Sequence, residues 1–248
     1  METAILVINK NGRKLAKRLH DGLENSFIIT LKKDSETSLR ALVGKVFNEY
    51  EGIVFCAAMG IVVRSIAPFV TNKFSDPAVV CVDTAGRFAV SVLSGHEGGA
   101  NTLAFAVAEC IGAIPVITTG TEAHKRFIIG IGCRRGIPAK TVRRVILGTL
   151  KANNIRLNEV RLAATIYLKR DEEGLRVACS ALGLPLVFFS KEEIEKVTGG
   201  ISASDVVERH IGLKGVCEPC ALLAGRRTQL IRTKKILDGI TIAIAREN

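Results

Sequence analysis

His96 and Glu97 stand side by side in the octapeptide Ser94-Gly95-His96-Glu97-Gly98-Gly99-Ala100-Asn101, in a chain that has only four histidines. An imidazole beside a carboxylate can take up and release protons near neutral pH, which is what general acid–base catalysis needs. Gly95, Gly98 and Gly99 crowd the same stretch. Glycine costs backbone entropy, so this density implies unusual dihedrals or a close approach by other atoms. The plainer alternative is a helix start, with Ser94 or His96 as the cap and Glu97 near the positive end of the helix dipole. Zinc is poorly served: no histidine follows four residues on, and no cysteine has a matching spacing.

Three further segments hold chemistry-bearing types. Ala57-Ala58-Met59-Gly60-Ile61-Val62-Val63-Arg64 follows a strand-like run and opens a short helix. In an open parallel sheet, ligands gather at the carboxyl ends of the strands. Gly60 would let a ligand near the backbone there, and Arg64 could grip a carboxylate with its planar fork. Ser94 to Asn101 is expected to have the same placement after the strand Phe88–Leu93. Gly130-Ile131-Gly132-Cys133-Arg134-Arg135-Gly136 looks like a dinucleotide turn, but its spacing is G-x-G-x-x-x-G and no acidic partner follows at the right distance. Arg134 and Arg135 suit an anion better, and Cys133 beside them is a candidate nucleophile of lowered pKa. Cys217-Glu218-Pro219-Cys220 is a lone CxxC, poor evidence for zinc; Pro219 reads as the start of a helix, with Glu218 at its N-terminus.

The elements that must carry these segments alternate. Strands are expected at 4–8, 27–31, 53–57, 78–82, 87–92 and 114–118, with helices at 11–20, 37–50, 61–67 and 97–111 between them. Asp83-Thr84-Ala85-Gly86 has hairpin chemistry. After a change of composition near His124 the pattern resumes, with strands at 127–131, 162–168, 185–189, 228–232 and 239–245. Helices are expected at 138–151, 172–182, 191–197, 203–210 and 218–224. This alternation predicts an α/β fold of two domains, 1–123 and 124–248, with mainly parallel sheets and a ligand cleft between them.

The totals narrow the partner. Apolar residues make up 48% of the 248, with two tyrosines and no tryptophan, so the cores are aliphatic. The seven cysteines are odd in number and scattered through apolar runs, as expected of a reduced cytoplasmic protein. No apolar run is long enough to span a membrane, and no basic leader precedes the first one. A net charge of +11 favours an anionic partner. Its cations come as separated pairs with few aromatics between them, which argues against nucleic acid.

Taken together, the stretches AMGIVVRSIAPFVTNKFSDPAVVCVDTAGRFAVSVLSGHEGGAN, AIPVITTGTEA, IGIGCRRG and EPCALLAG resemble the CbiG family of cobalamin-biosynthesis proteins. The resemblance spans most of the chain after residue 50. It implies an enzyme that takes cobalt-precorrin-5A, a cobalt-bearing tetrapyrrole, opens its ring-A δ-lactone and releases acetaldehyde. It also implies that cobalt arrives with the substrate, so no cofactor or protein-bound metal is expected. Other enzymes of the pathway and a second copy of the chain are the expected protein partners. Under this reading His96 and Glu97 are catalytic. Gly60, Arg64, Ser94, Gly95, Gly98, Gly99, Asn101, Thr119, Arg134, Arg135 and Glu218 contact substrate, with the backbone N–H groups near Gly98 and Gly99 holding the oxyanion. Longer family members carry a middle region that this chain lacks, which keeps a non-catalytic precorrin carrier as the alternative. A nucleotide enzyme built on the GIGCRRG segment is the other.

Overall fold

Strand β1 (Thr3–Val7), β3 (Gly52–Cys56) and β4 (Ala78–Val82) are apolar at nearly every position and buried throughout. Such continuous runs belong to strands covered on both faces. A computed structural model describes residues 1–31, 38–197, 213 and 215–248. It divides into two compact units, Met1–Thr121 and Glu122–Asn248, each described by itself.

In the first unit, β2 (Ser26–Thr30), β5 (Phe88–Leu93) and β6 (Ile114–Val116) complete a sheet of order β2-β1-β3-β4-β5-β6. β1 to β4 are mutually parallel. One face packs α1 (Arg13–Gly22) and α4 (Ala100–Ile111), through Leu15, Leu19, Leu103 and Val107, onto Ile5, Val54 and Val80. The other packs α2 (Leu39–Glu49) and α3 (Met59–Ile66), through Val43, Phe47, Val62 and Ile66, onto Leu6, Phe55 and Val79. The apolar positions of α1 fall on one side, leaving Arg13, Lys14, Lys17 and Arg18 outside.

The expected hairpin forms, and it has a consequence that the expectation of equivalent placement missed. Asp83 Oδ1 accepts the N–H groups of Arg87 (2.7 Å) and Phe88 (2.9 Å), and Gly86 turns at a φ of 69°. The chain reverses, so β5 runs antiparallel to β4, with Leu93 opposite Val79 and Ala89 opposite Val82. The segment after β5 therefore emerges at the amino ends of β1, β3 and β4, not at their carboxyl ends. β6 is parallel to β5 and ends at that same edge.

In the second unit, β7 (Phe127–Cys133), β8 (Val160–Ile166) and β9 (Leu186–Phe189) are parallel. β11 (Ile240–Glu247) and β10 (Thr228–Leu237) add antiparallel strands, giving the order β10-β11-β7-β8-β9. The short α5 (Gly120–Ala123) precedes this sheet. Helices α6 (Ala139–Ala152) and α7 (Glu173–Ala181) cover one face through Val142, Ile146 and Leu175. On the other lies α9 (Cys217–Leu223), and α8 (Lys191–Glu195) begins at a Ser190–Glu193 capping box. The chain is α/β, as expected, with most strand pairs parallel in the first sheet and half of them parallel in the second. The helix expected at 203–210 lies outside the described residues.

The pair of glycines in IGIG is explained here. Both Gly130 and Gly132 sit inside β7 rather than in a turn. A Cβ on Gly130 would stand 1.7 Å from the carbonyl oxygen of Cys217, so α9 rests directly on the strand. A Cβ on Gly132 would stand 2.5 Å from Thr241 Oγ1. These glycines admit a helix and a neighbouring strand, which removes the dinucleotide-turn reading.

Candidate active site

The SGHEGGAN segment forms a closed loop between β5 and α4. Ser94, at a φ of 56°, offers its C=O to the N–H groups of Gly98 and Ala100 (both 3.1 Å), and Gly95 C=O accepts from Asn101 (2.9 Å). Gly99 caps α4 in the left-handed region at a φ of 86°; neither Ser94 nor His96 is the cap, and Glu97 precedes the helix. Each glycine has a local cause. A Cβ on Gly95 would meet Thr119 Cγ2 at 2.6 Å, and one on Gly98 would meet Ser94 Cβ at 2.5 Å. The loop's own closure uses the glycines, and it also takes the Gly98 N–H. Of the two N–H groups expected to hold an oxyanion, Gly98's is committed to Ser94.

What closure does not use is His96, which is exposed on the loop. Its neighbour Glu97 is paired with Lys73, Nζ to Oε1 at 2.6 Å. That hydrogen bond holds the Glu97 carboxyl below its ordinary range, and the nearby His96 adds to the effect. Among the described residues no hydrogen bond joins Glu97 to His96, so the carboxylate is positioned by the lysine and not by the imidazole.

The loop is tied to the end of β6. Ser91 Oγ donates to Asn101 Oδ1 (2.9 Å), and Asn101 Nδ2 donates to Thr119 Oγ1 (3.0 Å). Ser94 Oγ is buried without a hydrogen-bond partner. On the other side runs the segment 71–76, stapled by Asp76. Its carboxylate accepts Thr71 N–H at 3.0 and 3.1 Å and Thr71 Oγ1 at 2.6 Å. Burial pushes the Asp76 carboxyl up, but these bonds more than offset it and the group ends below its ordinary range. At the tip, Lys73 Nζ lies 5.0 Å from the Phe74 ring centroid, and Phe74 is 77% exposed. Lys73 and Phe74 were not singled out in the sequence. The available signal for Phe74 was a lone aromatic within the polar run Thr71-Asn72-Lys73-Phe74-Ser75-Asp76.

Gly60 and Arg64 are together, but elsewhere. Arg64 Nη1 lies 3.4 Å from where a Gly60 Cβ would be, because a helical side chain leans toward its N-terminus. That places the guanidinium toward the carboxyl edge of β3, while Ser94–Asn101 occupies the amino edge. Strands of five residues separate the two edges by roughly 13 Å. Arg64 and His96 are therefore not neighbours in one wall, contrary to expectation.

In the second unit, Arg134 and Arg135 are exposed in the turn after β7. Glu172, itself buried, braces this turn: Oε1 accepts Gly136 N–H (2.8 Å) and Ile137 N–H (3.2 Å), and Oε2 lies 3.6 Å from Lys169 Nζ. Glu172→Ala should cost about 1–3 kcal/mol by leaving the buried Ile137 N–H unpaired, read as a lower urea midpoint. Cys133 is no activated thiol: burial pushes it up to about 11, outweighing the pull of Lys169. Cys217, pushed up to about 11, and Cys220, pushed further up, are buried in α9 beside Pro219 in its first turn. Glu218 is 1% exposed and accepts Lys234 N–H at 2.8 Å, bracing the irregular part of β10. Among the described residues no group of three His, Cys, Asp or Glu is placed to hold a metal, and no helix is long and apolar enough to cross a membrane.

Two family descriptions match this chain: Cobalamin synthesis G N-terminal over residues 41–122, and Cobalamin synthesis G C-terminus over residues 127–245. The chain belongs to the cobalamin synthesis G family. The matched spans contain every candidate site residue named above. The chain is 27% identical to the cobalt-precorrin-5A hydrolase of Priestia megaterium over 352 aligned positions, covering 98% of this chain and 94% of that protein. Identity to the cobalt-precorrin-5A hydrolase of Salmonella typhimurium is 24%, covering 97% and 96%. Protein CobE of Sinorhizobium sp is 28% identical over 127 residues, covering 50% of this chain and 82% of that protein. The Priestia alignment is longer than the 248 residues here, so that family member carries residues with no counterpart in this chain.

Proposed function

We propose that this chain is a cobalt-precorrin-5A hydrolase that opens the ring-A δ-lactone and releases acetaldehyde. Family membership across both units supports the class of reaction. One observation carries the site: His96 is exposed on a loop whose glycines are each accounted for by backbone conformation or by the atoms packed against them, and nothing in that packing requires the imidazole.

In this reading His96 takes a proton from water as the oxygen adds to the lactone carbonyl. The ester C–O bond breaks, leaving a ring-A carboxylate and an alcohol on the carbon that bears the methyl group. Loss of the alcohol proton then forms a C=O bond while the C–C bond to the macrocycle breaks. The two carbons leave as acetaldehyde, and the electron pair and a proton return to the ring. Glu97, held in place by Lys73, stands as a fixed anion beside the imidazolium that forms. Cobalt is part of the substrate, and the reading needs no resident cofactor. The +11 charge favours capture of a polycarboxylate. Asn101 and Thr119 hold the loop, and Arg134 and Arg135 are proposed carboxylate contacts on the second unit.

Purified protein incubated with cobalt-precorrin-5A should release one acetaldehyde per substrate, trapped as its hydrazone. The residues that the Priestia protein carries and this chain lacks favour one competing reading, a carrier. Tight binding of cobalt-precorrin-5A with no acetaldehyde released would establish the carrier and end the hydrolase assignment.

A further inference from the structure

Beside Arg134 and Arg135, the carboxyl ends of the parallel strands in the second unit hold apolar side chains that none of the foregoing roles uses. β8 ends at Ile166 and passes into a single turn, Tyr167–Lys169. Tyr167 is 50% exposed and Leu168 59% exposed, two large apolar side chains adjacent at a strand end. Tyr167 is one of only two tyrosines in a chain without tryptophan. Leaving it in water sacrifices burial that would have stabilised the fold. The Arg170 guanidinium lies 4.9 Å from the Tyr167 ring centroid and donates to its hydroxyl, so ring and cation are held as one unit. Arg176 in turn donates to the Arg170 C=O at 3.3 Å.

The neighbouring strand end supplies more cations. Glu172 bonds Gly136 and Ile137 while pairing with Lys169, so the β7 turn and the β8 turn are clamped together by one buried carboxylate. Arg134 and Arg135 project from that clamped turn without an ion pair among the described residues. Of the anions nearby, Glu172 is spent on the clamp and Asp171 pairs with Arg170 at 3.4 Å. The result is an aromatic and aliphatic shelf bordered by unpaired arginines, on the sheet edge where α/β folds take ligands.

We infer that Tyr167 and Leu168 form a stacking platform for the face of a flat, conjugated polycarboxylate macrocycle, with Arg134 and Arg135 taking its peripheral carboxylates. This rests on the proposed reading for the identity of the natural macrocycle, but not for its own test. A flat ring uses the shelf, and a ring of carboxylates uses the arginines; an acidic peptide would satisfy only the second.

The test is a fluorescence titration of the full chain with uroporphyrin (eight carboxylates) and coproporphyrin (four). Tyr167→Ala/Leu168→Ser should raise Kd for both by about tenfold or more, the scale of one lost aromatic contact with its apolar neighbour. Arg134→Gln/Arg135→Gln should weaken uroporphyrin more than coproporphyrin and flatten the salt dependence. Val177→Ser, an exposed apolar site on α7, should leave both affinities unchanged. All four side chains of the test pairs are exposed, so unchanged melting temperatures are expected. Equal uroporphyrin affinity in wild type and Tyr167→Ala/Leu168→Ser, no binding at all, or an equal loss in Val177→Ser overturns the platform. Acetaldehyde release separates the two ideas: normal turnover with no effect of the shelf variants sinks only the platform, while shelf-dependent porphyrin binding without turnover sinks only the hydrolase reading.

Discussion

A Gly130→Ala protein should lose at least about 3 kcal/mol of stability in the second unit, near the upper end of what overpacking costs. The new methyl group would sit 1.7 Å from the Cys217 carbonyl oxygen, well inside contact distance, and the obstacle is backbone. No side chain can rotate away. Relief requires moving α9 off β7, and that helix buries Cys217, Cys220 and Ala221 together with the Glu218 carboxylate that holds β10. The measurement is urea denaturation followed by circular dichroism. Gly148→Ala supplies the contrast, since it is an exposed glycine within α6 with nothing within 4 Å of the added carbon. It should gain up to about 1 kcal/mol from helix propensity alone. Similar midpoints for the two variants would show that α9 does not bear on β7 as described.

Gly130 also marks where the sequence could and could not be read. Periodicity located the strands and helices because aliphatic runs and helical spacing report burial directly, as at Ile53–Cys56 and Leu42–Phe47. The hairpin at Asp83–Gly86 was equally legible, since carboxylate-to-backbone bonding and a left-handed glycine have residue signatures. Its consequence was not. A reversal of strand direction changes which sheet edge carries the next loop, and no local pattern states an edge. That is why Arg64 and His96 looked like partners and lie apart. Glycine motifs were ambiguous for a related reason: the sequence shows that something comes close, but not whether it is a ligand, a helix such as α9, or the loop's own Ser94. Lys73 and Ser91 were invisible because their partners, Glu97 and Asn101, are distant in the chain.

His96→Ala should lower the acetaldehyde-releasing rate by about 10²- to 10⁴-fold, the range that a positioned general base supplies. The fold gives an unusually clean background for that change. His96 is exposed, and the loop's internal bonds run through Ser94, Gly95, Gly98, Ala100 and Asn101, so truncating the imidazole removes no contact that closes the loop. The melting temperature should therefore stay within a degree or so of wild type, by the small effect expected of surface changes. A base is also separable from a positioning role by chemical rescue. Because the side chain is open to solvent, free imidazole should restore part of the rate, and it should do nothing for a variant that had merely lost its loop geometry. Lys73→Met adds a second axis. Without the 2.6 Å bond, the Glu97 carboxyl should move back up toward its ordinary range. Glu97 stays ionised at neutral pH either way, so turnover there should change little. Full activity in His96→Ala, or imidazole that restores nothing, would move the proton transfer to another group and leave His96 as a surface residue on a glycine loop.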